Sequence, residues 1–256
     1  MPLLQIENLT IFFGGLRAVH DFHLTIELGQ VRGLIGPNGA GKTTVFNMIT
    51  GIHQPTEGTI IFDGQDIVGL RPDEIASRGI GRTFQNMRLW RHMTVLEHIK
   101  LARYSKFTYG MFGAFFGTPL RHREELEAEQ KANELMDLFA IRRFAGNVIT
   151  GLPYGIQRRV EMARAMAMEP KLLLLDEPTA GMNPEELSEI VVVIRRIRDE
   201  FNLAIFLIEH RMKFVMDLCE RIQTLDFGEV IAEGIPEDIR DNPRVIDAYL
   251  GREAEV

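Results

Sequence analysis

Eight consecutive residues carry the strongest chemistry in this sequence: Gly36-Pro37-Asn38-Gly39-Ala40-Gly41-Lys42-Thr43, with Thr44 behind them. They fit G-x-x-x-x-G-K-[ST], in which glycines let successive backbone N–H groups turn inward around phosphates and the lysine reaches the terminal ones. The threonine hydroxyl is a ligand suited to magnesium. A second chemical element is Asp176-Glu177-Pro178, where acidic side chains leave the apolar run Leu172 to Leu175. That is the Walker B pattern: Asp176 is placed to hold magnesium, through water, and Glu177 to polarise the water that attacks a γ-phosphate in line. Together the motifs describe phosphoryl transfer from a nucleoside triphosphate held with magnesium.

Such groups need elements to position them. Val31 to Ile35 reads as a strand leading into the glycine loop, and Val45, Met48, Ile49 and Ile52 fall at helical spacing after it and read as plain core, with Gly51 as the stop. Short apolar, β-branched runs such as Ala204 to Ile208 alternate with helical segments, the pattern of an α/β protein with a mostly parallel sheet and helices on both faces. The N-terminal stretch reads instead as antiparallel hairpins, with Thr59 to Phe62 entering an Asp63-Gly64 turn, and predicts a small β subdomain. Residues 104–119, rich in phenylalanine, and the charged helix-like run from Arg121 to Phe139 look like an inserted helical subdomain. The phenylalanines read as a satellite core beneath that helix, and Glu124, Glu125, Glu127 and Glu129 as its solvated face.

Composition narrows the class. The 256 residues are 45% hydrophobic and 25% charged, ordinary globular usage. No run approaches the roughly 18 apolar residues of a membrane span and no secretory signal opens the chain, so a cytosolic, soluble protein is expected. Cys219 is the lone cysteine and excludes an internal disulfide; it reads as packing on a helical face with Met212, Val215 and Met216. A net charge of −7 argues against nucleic acid as a partner.

The stretch 152–168, Leu152-Pro153-Tyr154-Gly155 and onward, has one apolar helical face (Ile156, Val160, Ala163, Ala167) ended by Glu169-Pro170. A Gly-containing turn, with Gly155, is expected ahead of this helix, giving a second helix N-terminus with a close-approach glycine and no lysine of its own, a half-site for a ligand shared between subunits. With the phosphate loop and Walker B, this stretch resembles the signature region of ABC ATPases, usually LSGGQ followed by RxxxARA. In that resemblance Thr83-Phe84-Gln85 is similar to the Q-loop, whose glutamine senses magnesium and γ-phosphate while its neighbours contact a permease. Ala180 to Pro184 resembles the D-loop, although Asn183-Pro184 is also a plain helix start for the amphipathic run Leu187, Ile190, Val191 and Ile194, and Ile208-Glu209-His210 resembles the switch histidine. Phe13 stands where the family places an aromatic on adenine, with Phe12 as the alternative.

The resemblance covers nearly the whole chain and is strongest to the cassette subunit of branched-chain amino acid importers, carried by Phe13 to Ala18, Arg82 to Asn86, Met93 to Glu97, the tyrosine-bearing Leu152 to Gly155, Ala180 to Glu186 and the tail Glu233 to Gly251. It implies a P-loop NTPase (RecA-like) fold in one ABC ATPase domain over 1–256. The nucleotide-binding core with its β subdomain would occupy 1–90 and 165–235, a helical signature subdomain 91–164, and a C-terminal tail 236–256. It implies an ATPase that hydrolyses ATP to ADP and phosphate with magnesium. ATP would be held by Phe13, Gly36, Pro37, Asn38, Gly39, Ala40, Gly41, Lys42, Thr43 and Thr44, and covered by Gly155 of a second subunit. Thr43, Gln85 and Asp176 would hold magnesium, while Glu177, His210 and Gln85 act in catalysis. Implied partners are a second ABC ATPase, two membrane permease subunits and, indirectly, a periplasmic solute-binding protein, with the chain peripheral on the cytoplasmic face of the membrane. A urea or amide importer cassette is the alternative substrate reading, and a non-transport ABC ATPase the alternative class. Pro153 and Tyr154 replace the usual Ser and first Gly of the signature, which removes a hydroxyl from the half-site offered to the partner.

Overall fold

The structure, a computed structural model, describes residues 1–85, 87–109 and 117–253. Part of the Phe-rich stretch therefore lies outside the described residues. Among those described, Tyr104, Phe107 and Tyr109 stack in series at 4.8 and 5.1 Å. Thr108 ties them to Glu124 of the helix Pro119–Leu138.

One sheet is antiparallel, in the order β2-β1-β4-β5, built from β1 (Leu4–Phe13), β2 (Leu16–Ile26), β4 (Glu57–Phe62) and β5 (Gln65–Asp66). The β4–β5 turn is Asp63-Gly64 with φ of 49° and 75°, the pair of positive values a two-residue hairpin of this twist requires. The second sheet runs β10-β9-β3-β8-β7-β6. Its strands are β3 (Val31–Ile35), β6 (Ile80–Arg82), β7 (Leu172–Asp176), β8 (Ala204–Ile208), β9 (Arg221–Asp226) and β10 (Glu229–Gly234). All neighbours pair parallel except the antiparallel β9–β10 edge.

Strand alternation sends side chains to opposite faces, and each face has its own core. Leu173, Leu175, Ile205 and Leu207 pack with helices α3 (Val95–Arg103), α4 (Pro119–Leu138), α5 (Tyr154–Met166) and α6 (Pro184–Phe201). Leu172, Leu174, Phe206 and Ile208 pack with helix α1 (Lys42–Ile49) and the antiparallel sheet. Helix α2 is Pro72–Ser77, α7 Met212–Leu218, α8 Pro236–Arg240 and α9 Pro243–Glu253. Thr94 and Asn183 start α3 and α6 with reciprocal capping by Glu97 and Glu186, so Asn183-Pro184 is the helix start its residue types predict.

Two expectations need correction. Ile52 is not core: α1 stops at Ile49, the chain turns on Gly51 at φ 71°, and Ile52 is 44% exposed. Gly155 does not lie in a turn ahead of its helix, because Pro153 is the N-cap and Gly155 sits buried in the first turn of α5. Cys219 is buried as expected, although it caps α7 rather than lying within it. Among the described residues no helix is long and apolar enough to cross a membrane.

Candidate nucleotide and metal site

Strand β3 delivers the chain to Gly36, where φ is 146° and a Cβ would stand 2.0 Å from the Leu225 carbonyl oxygen. Only glycine fits so close to a backbone atom. The loop ends on Gly41, φ 106°, which starts α1 with no side-chain cap and no acidic residue in the first turn. An uncapped helix start leaves N–H groups and the positive end of the helix dipole for an anion. A cavity of about 330 Å³ opens there, lined by the loop and helix start from Asn38 to Thr44 and, opposite, by Gln85 and Glu177.

Gly36 and Pro37 do not line that cavity. Their carbonyl oxygens accept from Lys42 Nζ at 2.6 and 2.8 Å, and the Gly36 N–H donates to Tyr249 Oη of α9 at 2.8 Å. The first glycine thus steers the lysine and anchors the loop.

Gln85 Nε2 donates to Glu177 Oε2 at 3.0 Å. Glu177 has φ 47°, a left-handed backbone unusual outside glycine, held by its N–H to Ile208 O at 2.9 Å. Strain of this kind persists where neighbours over-determine the position. One such neighbour is Arg158, fully buried, whose guanidinium donates to Phe84 O, Gln85 O and Glu177 O and pairs with Glu161 at 2.6 Å. Glu161 Oε1 in turn accepts the Phe84 N–H. Helix α5 is therefore bonded to both Gln85 and Glu177 through their backbones. Sequence reasoning assigned Arg158 and Glu161 no role; the charged residues on an otherwise apolar helix were the available signal.

Asp176 is 2% exposed and does not line the cavity. Burial raises its carboxyl above the usual carboxylate range, against the opposing pull of Arg82, which donates to Oδ2 at 3.0 Å. Its Oδ1 has no hydrogen-bond partner. An orphaned buried carboxylate oxygen, a threonine hydroxyl on the cavity wall and a glutamine carbonyl form an all-oxygen donor set, which fits magnesium by ligand type.

The remaining sequence candidates are placed apart from this cavity. The Phe13 ring is 44% exposed and meets His53 edge-on at 5.1 Å, while Leu16, Arg17 and Phe227 line the cavity flank instead. His210 follows β8 with its side chain half exposed, its backbone N–H held by the buried Glu209 carboxylate at 2.9 Å; Glu209 also accepts from Thr179 and Arg211. Gly155 faces α6, where a Cβ would meet Glu186 Oε1 at 2.5 Å. A second cavity, about 430 Å³ and largely apolar, lies beyond β6 and is lined by Ile52, Phe84, Arg88, Trp90 and Arg164 among others.

Comparison with known proteins identifies the family. A family model described as ABC transporter matches residues 19–180, and one described as branched-chain amino acid ATP-binding cassette transporter matches 229–255. The chain is 45% identical over 250 residues to the high-affinity branched-chain amino acid transport ATP-binding protein BraF of Pseudomonas aeruginosa, with 98% of each covered. Its fold superposes with TM-score 0.85 and 29% identity on a crystal structure of the ADP conformation of an ATP-binding cassette of an ABC transporter, covering 98% of this chain and 99% of that one. A dimeric post-hydrolysis cassette bound to ADP and Pi matches at TM-score 0.77 and 27% identity, covering 91% and 98%. With a domain model over more than half of its residues and a relative aligned almost end to end, this chain belongs to the ABC transporter family, as one of its ATP-binding cassettes.

Proposed function

We propose that the chain binds and hydrolyses Mg-ATP as one half of a cassette pair, and that this drives a branched-chain amino acid importer. The observation that carries the reading is the pairing of an uncapped helix start bearing Lys42 with the Gln85–Glu177 contact across one cavity. Lys42 would leave the Gly36 and Pro37 carbonyls for the terminal phosphates. Thr43, Asp176 and Gln85 would hold magnesium, which when bound neutralises phosphate charge. Glu177 would orient the attacking water, with Gln85 and the Arg158 bond holding it in place, and His210 would approach from the end of β8.

The Gly155 end of α5 does not line the Lys42 cavity and carries no lysine, so each half-site lacks what the other has. Pairing of two cassettes completes both, an arrangement supported by the dimeric relative bound to ADP and Pi. The apolar cavity beside Gln85, with Trp90 53% exposed in its wall, suits a helix from a membrane permease and would hold the chain at the cytoplasmic face of the membrane. The solute class rests on the BraF likeness and the matched tail.

Glu177→Gln tests the catalytic reading. It should bind Mg-ATP, cease turnover and accumulate as an ATP-bound pair on size exclusion. Hydrolysis at the wild-type rate, or a monomer in Mg-ATP, would refute it.

A further inference from the structure

We propose that Arg82 is a positioning residue that couples the apolar groove to the metal-binding aspartate, so that the state of one is felt at the other; the proposal rests on the nucleotide reading above. Arg82 is the last residue of β6, paired in register with Leu174 of β7, and its side chain is 6% exposed. Its guanidinium reaches three places at once. Nη2 donates to Asp176 Oδ2 at 3.0 Å, and Nη1 donates to Asn47 Oδ1 at 2.8 Å and Thr50 Oγ1 at 3.0 Å. Asn47 lies on α1, the helix whose first turn carries Lys42 and Thr43, and Thr50 is its C-cap. The same fork therefore ties the aspartate to the far end of the phosphate-binding helix.

Arg82 also connects to the groove through aromatic contacts. Its guanidinium carbon lies 4.9 Å from the Phe84 ring centre and 5.5 Å from that of Phe46, and Arg88 sits over the Phe84 ring at 4.3 Å. Arg82, Phe84 and Arg88 all line the groove, as does Trp90. A segment entering the groove meets Phe84, whose ring is in cation–π contact with the guanidinium that holds Asp176.

This ion pair is also incompletely satisfied. Arg82 Nε and Asp176 Oδ1 are both buried without a hydrogen-bond partner. A buried pair with spare valences is poor as a stability device, because desolvation offsets much of its Coulomb gain. It is well suited to a second arrangement, in which Asp176 turns toward a cation and Arg82 retains Asn47 and Thr50. Coupling of this kind is reciprocal: what a groove occupant does to the metal site, metal binding does to the groove.

Reciprocity makes the inference testable without a permease, because Trp90, the one tryptophan of the chain, stands in the groove wall and reports on it. The chain is loaded with ADP in chelator, Mg²⁺ is titrated in, and Trp90 emission and acrylamide quenching are followed, with nucleotide affinity measured in parallel by calorimetry. In the wild type, Mg²⁺ should shift Trp90 emission. Arg82→Lys keeps the charge beside Asp176 but cannot hold all three polar partners with one fork. It should shrink that shift at least about five-fold, the lower end of ordinary coupling factors, while affinity for Mg-free ADP stays within about two-fold. Phe84→Leu touches no polar contact of Asp176 and should shrink the shift likewise, which keeps the test decisive should Arg82→Lys fold poorly. Mg-ADP binding with a silent Trp90, or with equal shifts in wild type and Phe84→Leu, overturns the coupling alone. No nucleotide binding at all overturns the site reading and this proposal with it.

Discussion

At Gly36 a Cβ would meet the Leu225 carbonyl oxygen at 2.0 Å in a backbone conformation that side chains avoid, so the position whose backbone anchors the loop admits no side chain. Gly36→Ala should cost more than about 3 kcal/mol, since neither the backbone at 225 nor the φ can give way cheaply. Thermal unfolding checks this, and a midpoint within about 2 °C of wild type would contradict it. Glu177 is the complementary case: an ordinary L-residue held at φ 47° by its N–H donating to Ile208 O and its carbonyl accepting from Arg158. Both extremes occur within the same site, one relieving strain and one storing it.

At the scale of elements, α9 reaches the phosphate loop through one hydroxyl, Tyr249 Oη on the Gly36 N–H. Tyr249→Phe leaves that amide without its partner and should lower stability by about 1–3 kcal/mol, read from urea unfolding. The end of α5 is tied to the start of the Phe-rich stretch by Glu169, which takes Arg103 and Lys106 at 2.8 and 2.6 Å. Partial burial opposes ionisation of Glu169, but the hydrogen bonds and charges of Lys106 and Arg103 outweigh it and bring its pKa down from 4.5 to about 2. A depressed carboxylate contributes stability above its unfolded value and loses it as pH falls toward its folded one. Glu169→Gln should therefore be less stable than wild type at pH 7, by under about 1 kcal/mol given the exposure of the group, and the gap should close between pH 4.5 and about 2. A gap that persists unchanged at pH 2 would exclude this account.

The strands β3, β7 and β8 and the start of α6 were legible because buried parallel strands are short apolar runs and Asn183-Pro184-Glu185-Glu186 is a helix start in residue type alone. The hairpin turn at Asp63-Gly64 was legible for the same local reason. What escaped was long-range: Arg158 finds Gln85 and Glu177 across separations of 73 and 19 residues, and Arg82 finds Asp176 across 94. Spacing rules see neighbours along the chain, and no periodicity marks which arginine will be buried against which carbonyl. Phe227, at the β9–β10 turn, was missed as cavity lining for that reason too.

At the scale of the molecule, Pro153 and Tyr154 make the half-site this chain offers differ from the one it keeps. The Tyr154 ring lies close to Gly181, where a Cβ would approach it to 3.0 Å, so the position given to a small residue in the family signature is filled by an aromatic against the D-loop. In a mixed pair, Lys42→Ala here should reduce turnover by at least about ten-fold more than the equivalent change in the partner. Steady-state ATPase assays on the two single-mutant pairs decide it, and equal losses would refute the asymmetry.

Cys219 gives the experimenter an opening. It is the lone thiol of the chain, 6% exposed, and burial pushes its ionisation far above the ordinary thiol range. Maleimides and nitroxide reagents attack thiolates, so the folded chain is a ready-made blank for labelling. A cysteine introduced at the exposed Ser188 would be the single reactive handle. Pulsed spin–spin distances between two such handles could then follow cassette association with no background to engineer away.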